Sequence, residues 1–227
     1  MSAHEDLRAL AGRGSLPGDP TRLRVPGVRA TDHQREAAVL VLLGVLDDLP
    51  AARRSPDAAV AGDLDVLLVE RASSLRAHPG QIAFPGGRVD PQDAGVVDAA
   101  LREAEEETGL DPAGVELLGT LPPLPLPVSN HLVTPVLGWW AEPGPVRVVD
   151  TAECAAVFRM PVADLLAPTN RFTSVLHRAG VTRHRGPAFQ VAGTVVWGFT
   201  AYVLDAMFDA LGWTEPWDDS RLLDITA

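Results

Sequence analysis

The stretch LREAEEETGL, Leu101 to Leu110, crowds Glu103, Glu105, Glu106 and Glu107 into one short run. A helical pattern leads into it from about Val96 to Thr108, and Gly109 follows as the stop signal. With about 3.6 residues per turn, Glu106 and Glu107 lie at i+3 and i+4 from Glu103, so three carboxylates share one face while Glu105 points away. Like charges so placed cost a helix roughly 0.2–0.5 kcal/mol per pair. Acids in a last turn also oppose the helix macrodipole by about 0.3–1 kcal/mol each. The arrangement is locally unfavourable, and a bound cation would remove the conflict.

An isolated EAEEE is most often a solvated acidic face. Two neighbours argue for more here. Arg102 can reach Glu106 at i+4, tying one carboxylate in place, and the turn Gly86-Gly87 sits just upstream of the helix. Carboxylates with few nitrogen or sulfur ligands nearby suit a hard ion, so Mg²⁺ or Mn²⁺ is expected. Mg²⁺ keeps several waters and shares its shell with substrate phosphates, which points to metal-assisted attack of water on phosphorus.

That chemistry needs a cationic phosphate site, and the overall charge does not provide one. The formal net charge is −11, which excludes a general nucleic-acid or anionic-membrane binder. Any phosphate site must therefore be local. The sequence contains no lysine, so a fixed cation must be a guanidinium. From Arg71 to Arg88 the chain carries Arg71, Arg76, Arg88 and His78 and no acid, a local reversal of the prevailing sign. Solvated arginines, or arginines paired with the acids, are the competing reading.

With these residues in view, the segment GGRVDPQDAGVVDAALREAEEETGL, Gly86 to Leu110, resembles the Nudix box. That pattern is Gly, five residues, Glu, seven residues, then Arg-Glu-apolar-x-Glu-Glu-x-Gly-apolar. Arg102, Glu103, Ala104, Glu106, Glu107, Gly109 and Leu110 match its second half. From Gly87 to Arg102 there is one residue more than the pattern has, so its upstream Glu falls on Asp93 counted forward or Ala94 counted back. The preceding LLVERASSLRAHPGQIAFPGG, Leu67 to Gly87, is similar to the additional motif of the coenzyme A pyrophosphatase branch, with Val69 and Arg71 at its two threonine positions. The resemblance covers roughly residues 36–212.

The resemblance implies a Nudix-like α/β/α sandwich around a mixed β-sheet. It also implies metal-dependent cleavage of the pyrophosphate of coenzyme A or its derivatives to 4′-phosphopantetheine and adenosine 3′,5′-bisphosphate. Glu106 and Glu107, with Glu103 and the Gly87 carbonyl, would hold the metal. Glu103 is the candidate general base and Arg102 would orient the carboxylates. Arg76, His78 and Gly86 are the candidate substrate contacts, while Glu153 and Asp93 are further acidic candidates. Another Nudix substrate (NADH, ADP-ribose, a sugar nucleotide) or a non-catalytic ligand-sensing module are the alternatives.

Residues 1–35 read as an irregular lead-in with room for one short helix, and 36–227 as the hydrolase domain. Strand patterns fall at Ala37–Leu46, Leu64–Glu70, Val115–Leu121, Leu132–Trp140 and Cys154–Met160, and a helical one at Thr194–Leu211. Strands on both sides of one helix, with another helix near the end, suggest an α/β sandwich. Trp197 and Phe208 are expected in the core, and RAGVTRHRG as a basic loop. The lone Cys154 excludes an internal disulfide and suits a reducing, cytoplasmic setting. No apolar run is long enough to span a bilayer, MSAHEDLRAL lacks the apolar centre of a signal peptide, and DITA is no familiar address. The expected partner is a small diphosphate substrate, and the oligomeric state stays open, a homodimer included.

Overall fold

The computed structural model describes residues 2–14, 16, 34–45, 60, 62–75, 78–178 and 181–225. Strand β1, Arg35–Val45, runs through the middle of the larger sheet and is covered on both faces, which is why its apolar run is nearly continuous. It pairs in parallel with β7 (His131–Trp140), along a register from Arg35–His131 to Leu43–Trp139. Its other edge is divided. β2 (Leu64–Arg71) takes the far half in antiparallel pairing, Leu43 opposite Val66. The short β4 (Gly86–Arg88) takes the near half, Ala38 opposite Gly87 and Val39 opposite Gly86. The sheet is completed by β3 (Ile82–Ala83), β5 (Val115–Thr120), β6 (Leu124–Leu126) and β8 (Cys154–Pro161).

Alternation along the strands sorts side chains between two cores. On one face Ala38, Leu40, Leu42 and Leu67 meet Ala99, Ala100 and Ala104 of helix α2, Val96–Thr108. Those alanines let α2 approach the sheet closely. On the other face Val41, Leu43, Val66 and Leu68 join one core with helix α1 (Ala3–Arg13) and helix α4 (Gly198–Leu211), while the short α3 (Val162–Leu166) follows β8. The α/β/α arrangement around a mixed sheet is therefore the one found.

The one short helix that the lead-in leaves room for is α1, Ala3–Arg13, which a Ser2–Glu5 capping box starts and in which Leu7 and Leu10 are fully buried. Two other local expectations change. The helical reading of Thr194–Leu211 divides, because Thr194–Val196 forms strand β11 and the helix begins only at Gly198. β-Branched residues followed by Trp197 in extended conformation favour a strand end there. Of the expected basic loop, the described residues 178 and 181–186 lie in strands, β9 (Arg171–Arg178) and β10 (Val181–Val191), part of a second sheet ordered β11-β10-β9-β12 with β12 at Leu222–Ile225. No helix among the described residues is long and apolar enough to cross a membrane.

Candidate functional site

Helix α2 carries the acidic face at its C-terminal end, where Gly109 closes the helix in the left-handed conformation and donates to the Glu105 carbonyl. Glu105 is exposed, away from the other three. Arg102 uses its whole guanidinium on this region. Nε and Nη2 donate to the two oxygens of Asp93 at 2.9 and 3.0 Å, and Nη2 also reaches the Arg88 carbonyl at 3.1 Å. Nη1 donates to Glu103 at 3.1 Å and to Glu106 at 3.0 Å. The i+4 reach expected of Arg102 is thus made. A planar fork with fixed donors suits this bridging task better than a point charge.

Asp93 is the buried anchor of that fork, its side chain only 2% exposed. The Asp90 backbone N–H donates to it as well, at 2.7 Å. Hydrogen bonds from Arg102 first, and from that backbone second, hold its carboxyl below the ordinary range. The extra residue ahead of α2 therefore leaves a carboxylate against Arg102. The shifted spacing was the only sign of this in the sequence.

Glu107 faces inward and is 3% exposed. Gly86 N–H donates to its Oε2 at 3.0 Å, joining α2 to β4. Burial pushes its carboxyl up to about 7, against the opposing pull of the Gly86 N–H and the Arg71 charge. Burial raises Glu103 too, with Arg102 opposing. Gly87 completes the cradle: a Cβ there would stand 2.3–2.5 Å from the Glu103 carboxyl group, so only glycine admits that carboxylate. Glu153, exposed just before β8, adds negative charge that raises both Glu103 and Glu107. Cys154 lies buried beside Glu107, its thiol pushed up to about 12 by burial and then by that carboxylate, which leaves it a poor nucleophile.

Among the described residues, no group of three or more His, Cys, Asp or Glu side chains is arranged to hold a metal ion. Glu103 and Glu106 are turned to Arg102, and Glu107 to Gly86. The donor set nevertheless suits a hard divalent ion. It is all oxygen, it is crowded with negative charge, and Mg²⁺ needs only one or two protein carboxylates beside waters and phosphates.

Gly86 also borders a cavity of about 360 Å³ that opens between the two sheets. Arg71 lines it, acting electrostatically on both Glu107 and His78. His78 lines it as well, with φ at 57° and Nδ1 3.0 Å from Gln81 Oε1. Burial lowers its proton affinity, with the Gln81 hydrogen bond opposing and the Arg71 charge adding to the effect. Trp197, expected in the core, is half-buried at this cavity, whereas Phe208 is fully buried as expected. Arg88 is exposed and reaches the site through its carbonyl. Arg76 lies outside the described residues.

The profile of the NUDIX domain matches residues 52–179 of the chain. Among curated proteins, the chain is 40% identical over 182 residues to the uncharacterised Nudix hydrolase NudL of Cronobacter sakazakii, covering 80% of this chain and 85% of that one. It is 39% identical over 176 residues to the NudL of Shigella boydii, covering 78% and 82%. Among solved structures, a MutT/nudix family protein from Enterococcus faecalis aligns over 93% of this chain and 70% of its own, with 18% identity and a TM-score of 0.46.

Proposed function

The chain belongs to the Nudix hydrolase family, and from that premise we propose that it hydrolyses the pyrophosphate of coenzyme A or a coenzyme A derivative. The observation that carries this reading is the shared turn at Gly86 and Gly87. It holds Glu107 by a backbone hydrogen bond and cradles Glu103 on one side, and borders the cavity on the other. The segment leading into that turn, Leu67 to Gly87, is also the one that resembles the coenzyme A pyrophosphatase motif.

Glu106 and Glu107, with Glu103 and the Gly87 carbonyl, are the groups that would hold Mg²⁺ or Mn²⁺. A bound divalent ion supplies charge neutralisation on the diphosphate and lowers the pKa of a water. Glu103 accepts the proton as water adds to one phosphorus and the bridging P–O bond breaks, leaving 4′-phosphopantetheine and adenosine 3′,5′-bisphosphate. Arg102, anchored by Asp93, positions Glu103 and Glu106, while Arg71 and Arg76 are the guanidinium groups assigned to the phosphates. We place this activity in a reducing, cytoplasmic setting, in keeping with the single buried thiol.

The test is product analysis after incubation with Mg²⁺ or Mn²⁺ and a panel of coenzyme A, acetyl-coenzyme A, NADH and ADP-ribose. Release of adenosine 3′,5′-bisphosphate from the coenzyme A species alone is the expected result. Preferential cleavage of NADH or ADP-ribose would keep the carboxylate site and reject the substrate.

A further inference from the structure

The cavity beside Gly86 is unlike the carboxylate face it adjoins. Its walls are largely apolar, with Leu126, Val128 and Val133 from the larger sheet and its β6–β7 turn on one side, and Leu176, Trp197 and Phe199 on the other. Trp197, Phe199 and Thr200 lie beyond residues 52–179, the segment that matches the NUDIX profile, whereas Leu176 lies within it. The volume, about 360 Å³, falls in the range of small-molecule sites.

The two halves of coenzyme A make different demands on such a space. The nucleotide half carries a second phosphate on its ribose, whose burial requires several cationic donors. Among the described residues lining the cavity, Arg71 is the one guanidinium, and it stands where it also acts on Glu107. The other half is an uncharged arm with a branched apolar segment and two amides. The cavity offers the complements of that arm. Gln81 and Thr200 can exchange hydrogen bonds with amides. At the Trp197 wall, α4 starts without a side-chain cap, so its first-turn N–H groups are donors for amide carbonyls.

We propose that this cavity holds the pantetheine arm of the substrate, and that Trp197, Phe199 and Val128 set the preference for what the arm carries at its thiol end. The assignment rests on the coenzyme A reading above and goes beyond it by orienting the substrate. The diphosphate lies over the Glu103–Glu107 face, the arm runs past Gly86 into the cavity, and the nucleotide half lies outside it.

Val128 suits a test because it is 53% exposed while lining the cavity, so a charge there enters the binding space without disturbing the core. Calorimetry on the full chain, in Mg²⁺, would compare 4′-phosphopantetheine with adenosine 3′,5′-bisphosphate for the wild type and Val128→Asp, with thermal melts to confirm folding. The expected result is about tenfold or greater weakening of 4′-phosphopantetheine, with the bisphosphate unchanged within about twofold. Weakening of the bisphosphate instead would give the cavity to the nucleotide. No change in either, or no binding of 4′-phosphopantetheine to the wild type, would remove the cavity from substrate recognition. Val128-dependent binding by a protein that fails to cleave coenzyme A would overturn the proposed reaction and keep the cavity assignment. Cleavage without Val128-dependent binding would do the reverse.

Discussion

Glu107 meets opposed demands at a single residue. The proposed cation needs it as a carboxylate, yet burial pushes it up to about 7, so its charged form weakens the fold at neutral pH. Glu107→Gln keeps the side-chain volume and an oxygen for the Gly86 N–H while removing that charge. Hydrolysis is expected to fall by about 100-fold or more, roughly 2.7 kcal/mol of transition-state stabilisation, with a Tm unchanged or raised. Near-normal turnover at saturating Mg²⁺ would sink the metal assignment, and a large drop in Tm would make Glu107 a structural residue. Asp93 has the opposite sign. Its carboxyl is held below the ordinary range in the fold, so it adds stability above the unfolded value of about 3.9 and loses that contribution as pH falls through the folded value. Urea unfolding should therefore find the wild type more stable than Asp93→Asn near pH ~6, with the gap closing near pH ~2. A gap independent of pH would show that the Arg102 pairing does not titrate with Asp93.

At the scale of the element, the two glycines of β4 do different work although they are adjacent. A Cβ on Gly86 would stand 2.3 Å from the Ala38 carbonyl oxygen and 2.6 Å from Val39 Cα, at a φ of 155° that side chains rarely adopt. The obstacle is backbone of the paired strand and cannot swing away. Gly86→Ala is expected to destabilise the protein by roughly 1–3 kcal/mol. On Gly87 the atoms nearest an added Cβ are the end of the Glu103 side chain, which can turn aside. Gly87→Ala should then keep its melting temperature within a few degrees and lose activity by about tenfold or more, because the displaced carboxylate is the one assigned to catalysis. Melting curves and initial rates on the pair decide the matter, and a stable, active Gly87→Ala would show that Glu103 needs no cradle.

Across the whole molecule, α1 is part of the core although it lies far in sequence from what it touches. Leu10 is fully buried in the same core as residues of β1, β2 and α4, so Leu10→Ala is expected to cost ~2–5 kcal/mol in urea unfolding. A cost below about 0.5 kcal/mol would mean that the helix is an independent appendage. Much of the plan was already present in the order of the residues. The continuous apolar run of β1, the limits of α2 at Val96 and Thr108, and the reach of Arg102 to Glu106 all follow from backbone periods that act over a few residues. The rest was decided only by tertiary packing. Asp93 against Arg102, β4 against the near half of β1, α1 in the core, β12 beside β9, and a cavity walled by both sheets each join segments whose meeting no local period encodes. Those contacts depend on which surfaces remain once the local elements have formed, and burial between distant segments selects them. Spacing thus determined which carboxylates α2 carries, and packing determined what each of them meets.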